Sequence, residues 1–291
     1  MFATLLGGLP RPPIQAAAPA TELVAAAIAA QSDAGLEPVV DGGLWGTEAI
    51  DTVVERWRAT ADLTDRAVKA VVVGPFSSGS DAGSLNTVLH ELAAAGCPLV
   101  EVHEPAAANL GDDASARQRF VKAHRRLLDG IGALGMHVSL AITGGSAHGA
   151  GVETLLAAPY SSVALDLVRG PDNWRLAAAA PRAIGVVCGA MTADEQGDEA
   201  VEILIYALNY AASTGGRGPA RVGIATAGSL AGVAWDVAQR RMQRLGEAVR
   251  LAQASPDERA AALDPRAISI RSAALGRTGV RRAGRRPEPT S

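Results

Sequence analysis

Residues 68–103 read VKAVVVGPFSSGSDAGSLNTVLHELAAAGCPLVEVH. They hold one complete repeat of the fold. A β-branched run, Val68–Val73, stops at the Gly-Pro pair 74–75. A helical stretch, Asp81–Ala95, follows. Asp81 can cap its start with a side-chain oxygen, and Gly96 follows its end, where a left-handed residue is needed. A second apolar run, Leu99–Val102, completes the unit. Strand, helix and strand in this order imply two parallel strands joined by a right-handed crossover.

The same alternation extends in both directions. Strand candidates are Phe2–Leu6, Pro38–Val40, Val68–Val73, Leu99–Val102, His137–Ile142, Val163–Leu167, Ala183–Cys188 and Val222–Ala225. Helical stretches separate them, with Ser115 as a second capping candidate and Gly35 and Gly135 at helix ends. Eight strand–helix units predict a single (βα)8 TIM-type barrel, with any active site where the strands finish. An open doubly wound sheet is the competing architecture. The count of eight, and the lack of a glycine fingerprint opening the first helix, favour the barrel.

Composition agrees. The 291 residues are 48% hydrophobic, 20% charged and 3% aromatic. A core of Ala, Val, Leu and Ile suits parallel strands covered on both faces. A net charge of −3 provides no global field for nucleic acid or membrane. No apolar run reaches the roughly 20 residues that a bilayer-spanning helix needs. Met1–Pro10 lacks the charged start of a secretory signal. Cys97 and Cys188 suggest a reducing compartment, and the expected location is the cytoplasm. The barrel is expected over 1–263. A short helix, Asp264–Leu275, and a basic tail fill 264–291, with six arginines and one acid from Arg271 to Ser291. The tail reads as disordered.

Polar residues just past barrel strands face the site. Here they include Gly8 and Arg11, Asp41 and Trp45, Gly74 and Pro75, His103 and Glu104, Ser139 and Thr143, Asp166 and Arg169, and Ser229. Trp45 can stack on a flat heterocycle or pack on a helix as a lid residue. His103 and Glu104 read as an acid–base pair. Glu104 alternatively forms an ion pair inside the barrel, with Arg11 or Arg169. The loop 143–151, TGGSAHGAG, can cradle an anion on its amides or serve as a flexible lid.

Five stretches, in order, resemble the catalytic domain of cobalamin-independent methionine synthase and its single-domain relatives. They are GGLPRPP (7–13), AGLEPVVDGG (34–43), VVVGPFSSG (71–79), AAAGCPLVEVHEPA (93–106) and GMHVS (135–139). The resemblance covers roughly residues 2–250. It implies a barrel and a methyl transfer in which zinc activates an acceptor thiol. The family's zinc ligands carry over to His137, to Ser139 in place of a cysteine, to Asp166 as a shorter carboxylate, and to Gly228 in place of a second cysteine. Two good ligands fall short of the three or four that zinc takes, so zinc is disfavoured. His137 reads as a core-facing or rim histidine bonded to a neighbour, and as a metal ligand only if a metal is bound at all. Gly8, Gly43 and His103 replace partners for the homocysteine zwitterion, whose charges would need pairing if buried.

The resemblance therefore implies a methyltransferase-type barrel with a changed acceptor and a folate- or corrinoid-type donor. Its expected proton-transfer residues are Glu104, His103 and Asp166. Its expected substrate contacts are Gly8, Arg11, Asp41, Trp45, Gly74, Pro75, Ser139 and Thr143. The expected partners are a small-molecule substrate and a methyl-donor protein, with no nucleic acid and no membrane. Two alternatives stand beside it. One is a genuine 5-methyltetrahydrofolate–homocysteine methyltransferase with an unusual site, for instance one completed by Cys188. The other is a non-catalytic barrel that binds a small molecule or a partner.

Overall fold

The computed structural model describes residues 1–46, 52–195, 197 and 199–263. It contains a curled seven-stranded parallel sheet wrapped in helices. The strands are β1 (Phe2–Ala3), β2 (Lys69–Val73), β3 (Leu99–His103), β4 (His137–Ile142), β5 (Ser162–Asp166), β6 (Gly185–Met191) and β7 (Val222–Thr226). Their order across the sheet is β1-β7-β6-β5-β4-β3-β2. The helices are α1 (Ala20–Asp33), α2 (Val53–Ala61), α3 (Pro75–Ser78), α4 (Ala82–Ala94), α5 (Ala114–Leu127), α6 (Val152–Leu155), α7 (Asn173–Ala179), α8 (Val201–Ser213), α9 (Trp235–Gln253) and α10 (Pro256–Ala262). The expected helix and basic tail after residue 263 lie outside the described residues. No described helix is long and apolar enough to cross a membrane.

The one expected strand that fails is Pro38–Val40. It makes a single ladder bridge, Val39 to Val68. Pro38 has no N–H to donate, which shortens any ladder through it. The segment still lies between the two edge strands. Glu37 N donates to Ala3 O of β1 (2.8 Å), Val39 N to Ala67 O (2.9 Å) and Lys69 N of β2 to Val39 O (3.0 Å).

A helix side chain supplies what the missing ladder does not. Gln31 of α1 is fully buried. Its Nε2 donates to Val40 O (2.7 Å), and its Oε1 accepts from Val40 N (3.0 Å). Changing Gln31 to Leu would leave both backbone groups buried without partners, at 1–3 kcal/mol each when none is regained. We expect a loss of about 2–4 kcal/mol, read from the urea midpoint.

Alternation along the strands sorts the core. Val100, Val102, Val138, Leu140, Val163 and Leu165 pack outward against the helices. Leu6, Ala141, Ala164, Val187 and Ala225 form a separate cluster on the inner face of the sheet. Those inner side chains are mostly small, so polar residues share the space.

Helix limits follow the expected chemistry with one change. Asp81 caps α4 by accepting from Ser84 N (2.8 Å), and Gly35, Gly96 and Gly135 take φ of 76°, 88° and 71°. At α5 the cap is Asp113, not Ser115. Its Oδ1 accepts from Ser115 N (2.9 Å) and Ala116 N (3.1 Å), because a carboxylate two residues earlier reaches the same free amides.

Candidate active site

The curled sheet encloses two cavities, one at each end. The upper one, of about 680 Å³, opens where the strands finish. The lower one, of about 670 Å³, lies where they start. A line of three charged or titratable side chains connects them. Lys69 of β2 lines both cavities, Glu101 of β3 lines the lower, and His103, two residues further along β3, lines the upper.

Lys69 and Glu101 are each 2% exposed. Lys69 Nζ donates to Leu5 O and lies 2.8 Å from Glu101 Oε2. The other carboxylate oxygen lies 2.6 Å from His103 Nε2. Burial pushes the Glu101 pKa up. The Lys69 charge and the His103 hydrogen bond outweigh it and hold the carboxyl down at about 2, from an ordinary 4.5. An ionised carboxylate only accepts hydrogen bonds, so His103 Nε2 carries the proton. This leaves Nδ1 as the imidazole nitrogen available to a ligand.

The depressed pKa sets a pH dependence. The folded value lies below the unfolded one, so the stabilisation is fully present above about 4.5 and is lost as pH falls toward 2. The size is roughly 3 kcal/mol. Urea midpoints measured from pH 6 to pH 2.5 should show this fall, and Glu101→Gln should lack that component.

The expected site residues separate into three groups. Gly8 and Asp41 line the upper cavity with His103 and Ser229. Gly8 N donates to Ser229 Oγ (3.1 Å), and a Cβ at Gly8 would lie 3.0 Å from Gly42 O. Asp41 Oδ1 accepts from Gly43 N (2.9 Å) in a tight turn at the rim.

The second group shapes this end of the barrel and lines neither cavity. Glu104 is fully buried. Its oxygens accept from Phe76 N (2.9 Å) and Ser77 N (2.7 Å), and Oε1 lies 3.0 Å from His124 Nε2. The titratable side chain beside it is therefore His124, not Arg11 or Arg169. Gly74 is required there, since an added Cβ would sit 2.1 Å from Glu104 Oε1. Pro75 then starts α3 at a position where no N–H is needed. The Gly-Pro and Glu-Pro pieces of the resemblance thus fit into each other.

Asp166 is likewise occupied, accepting from Gly144 N (3.0 Å), Val168 N (3.0 Å) and Arg169 N (2.9 Å). Asn173 ties down the glycine-rich loop, with Ala147 N donating to its Oδ1 (2.8 Å) and its Nδ2 donating to Gly145 O (3.0 Å). These bonds replace the anion cradle with a braced turn that includes Thr143. Arg11 donates to Gln15 O and Ala16 O of its own loop. Trp45 donates to Thr60 Oγ1 of α2 (2.9 Å), while Trp57 lines the upper cavity.

The third group, His137 and Ser139, lies at the opposite end. Both line the lower cavity, and His137 Nε2 lies 2.8 Å from Ser162 Oγ. The implied zinc does not fit these residues. His137 starts β4, Asp166 ends β5 with its carboxylate taken by amides, and Ser139 offers a hydroxyl. Cys188 packs outward in the core, and burial pushes its thiol up to about 12. Among the described residues no three His, Cys, Asp or Glu side chains group as metal ligands.

The overall fold resembles those of solved proteins. The chain is similar in fold to B12-independent methionine synthases. The structure of one from Shewanella sp. W3-18-1, in complex with selenomethionine, superposes with a TM-score of 0.71 at 16% identity, over 85% of this chain and 97% of that one. A putative vitamin-B12 independent methionine synthase from Listeria monocytogenes gives 0.67 at 13%, over 87% and 96%. D-Allulose 3-epimerase from Methylomonas sp. gives 0.56 at 13%, over 87% and 99%. No protein-family model matches the chain, and no curated protein does. Identities this low establish a barrel-like fold of the kind enzymes use, and no particular reaction.

Proposed function

We propose that the chain is a (βα)8-type enzyme whose active site is the upper cavity, with His103 as the proton-transfer group. The observation that carries this reading is the Lys69–Glu101–His103 line. A carboxylate kept ionised by a buried lysine orients an imidazole at the mouth of a cavity. That is the arrangement a general base requires. A volume of about 680 Å³ suits a small-molecule ligand.

The reaction favoured by the sequence resemblance is methyl transfer from a folate- or corrinoid-type donor to a small acceptor. His103 Nδ1 would take the acceptor's proton as the acceptor's lone pair forms the new bond to the methyl carbon. The donor–methyl bond would break with its electron pair going to the donor, to N5 of a folate, which then gains a proton, or to the cobalt of a corrinoid. Glu101 would orient the imidazole, and Asp41 would meet a donor group of the ligand at the rim. Zinc–thiolate activation is no part of this reading, because the donor set does not fit the metal.

The test uses 5-methyltetrahydrofolate and methylcobalamin as probes. Tryptophan fluorescence, with Trp57 on the cavity wall, should report saturable binding of one of them. His103→Ala should lower methyl transfer to a screened acceptor by about 10²–10⁴-fold while leaving donor affinity within a few-fold. Failure of both probes to bind would remove methyl transfer and leave the proton-transfer site in search of another substrate.

A further inference from the structure

The lower cavity is not explained by the reading above. It lies at the end where the strands begin, so it cannot share a ligand with His103. Three observations show that it is polar by construction. Ser139 is 3% exposed, lines the cavity, and its Oγ has no hydrogen-bond partner among the described residues. A buried hydroxyl without a partner costs free energy that a bound hydrogen-bonding group would recover. Lys69 Nζ donates to Leu5 O and Glu101 Oε2, leaving one of its three N–H groups unmatched among the described residues. His137 and Ser162 form a third polar point, joined at 2.8 Å.

The rest of the wall is apolar, contributed by Phe2, Leu99 and Val187 among others. Gly223 seats the Phe2 ring of this wall, since a Cβ there would lie 2.5 Å from it. The buried charges of the lining balance each other, with Lys69 facing Glu101 at 2.8 Å. At the rim Glu37 faces Arg66 at 3.3 Å, and the exposed Arg221 donates to Ala183 O. Burial also lowers the His137 pKa, so that ring is neutral near pH 7. An extra charge brought into this space would lack a counter-charge, whereas a hydroxyl or carbonyl would meet Ser139 Oγ and the spare Lys69 proton.

We infer that the lower cavity is a second ligand site, for a small neutral molecule with one hydroxyl or carbonyl on an apolar body. The ligand's polar atom meets Ser139 and Lys69, and its body lies against Phe2, Leu99 and Val187. Its walls are at the other end of the strands, and Lys69 is the one lining residue that it shares with the upper cavity.

The test is methyl NMR on the full chain, with cyclohexanol as the neutral probe and cyclohexylammonium and cyclohexanecarboxylate as its charged counterparts. Val187 lines the lower cavity and Val73 the upper. Cyclohexanol should shift the Val187 methyl signals saturably and leave Val73 in place. The charged analogues should bind at least about tenfold more weakly. Ser139→Ala removes one oxygen and leaves the walls intact. It should weaken cyclohexanol about five-fold, the loss of one hydrogen bond. The inference is overturned if Val187 shows no saturable shift, if Val73 alone shifts, if the charged analogues bind as well, or if Ser139→Ala binds equally.

Discussion

Replacing Glu104 with Ala should lower stability by about 3–5 kcal/mol, the largest loss expected of any single change at the mouth of the barrel. The carboxylate is fully buried and serves three partners at once, Phe76 N, Ser77 N and His124. Without it, two amides at the start of α3 lose their acceptor and the buried His124 ring loses its neighbour at 3.0 Å. His124 is itself held by stacking on Phe120, with ring centroids 3.9 Å apart, and by a hydrogen bond to Tyr160. For a domain of this size the loss corresponds to roughly 10 °C in Tm. Gly74→Ala should reproduce part of it, about 1–3 kcal/mol, because the new methyl group overlaps the same carboxylate. Thermal unfolding of the two variants measures both effects. Donor binding by the folded fraction of Glu104→Ala should match wild type, since Glu104 faces neither cavity. A large change in affinity with little change in Tm would restore Glu104 to the catalytic group.

Lys69→Met should cost a similar amount, about 3–5 kcal/mol, for a different reason. The variant leaves Glu101 buried beside His103 without its nearest positive charge. Its carboxyl would then rise from about 2, driven by the burial that Lys69 now offsets. Changing Glu101 to Leu in the same chain removes the stranded charge and should recover most of the loss. Urea unfolding of wild type, both single variants and the double variant gives the coupling directly. Additive effects would mean that Lys69 and Glu101 do not depend on each other. The double variant is expected to fold and to lose the proton-transfer function, which separates stability from activity at the same pair.

Much of the architecture was legible in the apolar runs. Seven of eight expected strands form, and each lies within a residue or two of its expected limits except β1, which is cut to Phe2–Ala3, and β6, which runs three residues further to Met191. The eighth failed at Pro38, where the apolar count is right and the backbone chemistry is not. What replaced its ladder, Gln31, sits in a helix, and nothing local marks it as a backbone partner for Val40.

The site was legible in part. His103, Gly8 and Asp41 line the upper cavity together, as the convergence of strand ends in a barrel leads one to expect. Glu104 and Asp166 sit at the same strand ends, but their carboxylates turn onto loop amides, a choice that depends on where α3 and the 167–169 turn fold. Lys69 and Glu101 were missed, although the signal was present. Each is a lone charge inside an apolar strand, in VKAVVV and LVEVH. Two such charges on neighbouring strands rarely go inside unless they meet. His137 starts β4 and lies 2.8 Å from Ser162 Oγ, the arrangement of a rim histidine bonded to a neighbour.

¹⁵N NMR of the His103 imidazole tests most directly whether an ionised Glu101 orients that ring. A neutral ring protonated at Nε2, with Nδ1 showing the shift of a bare lone pair, is the predicted result. A ring protonated at Nδ1 would mean that Glu101 does not hold the proton in place, and would contradict the assignment of His103 as the base at the mouth of the barrel.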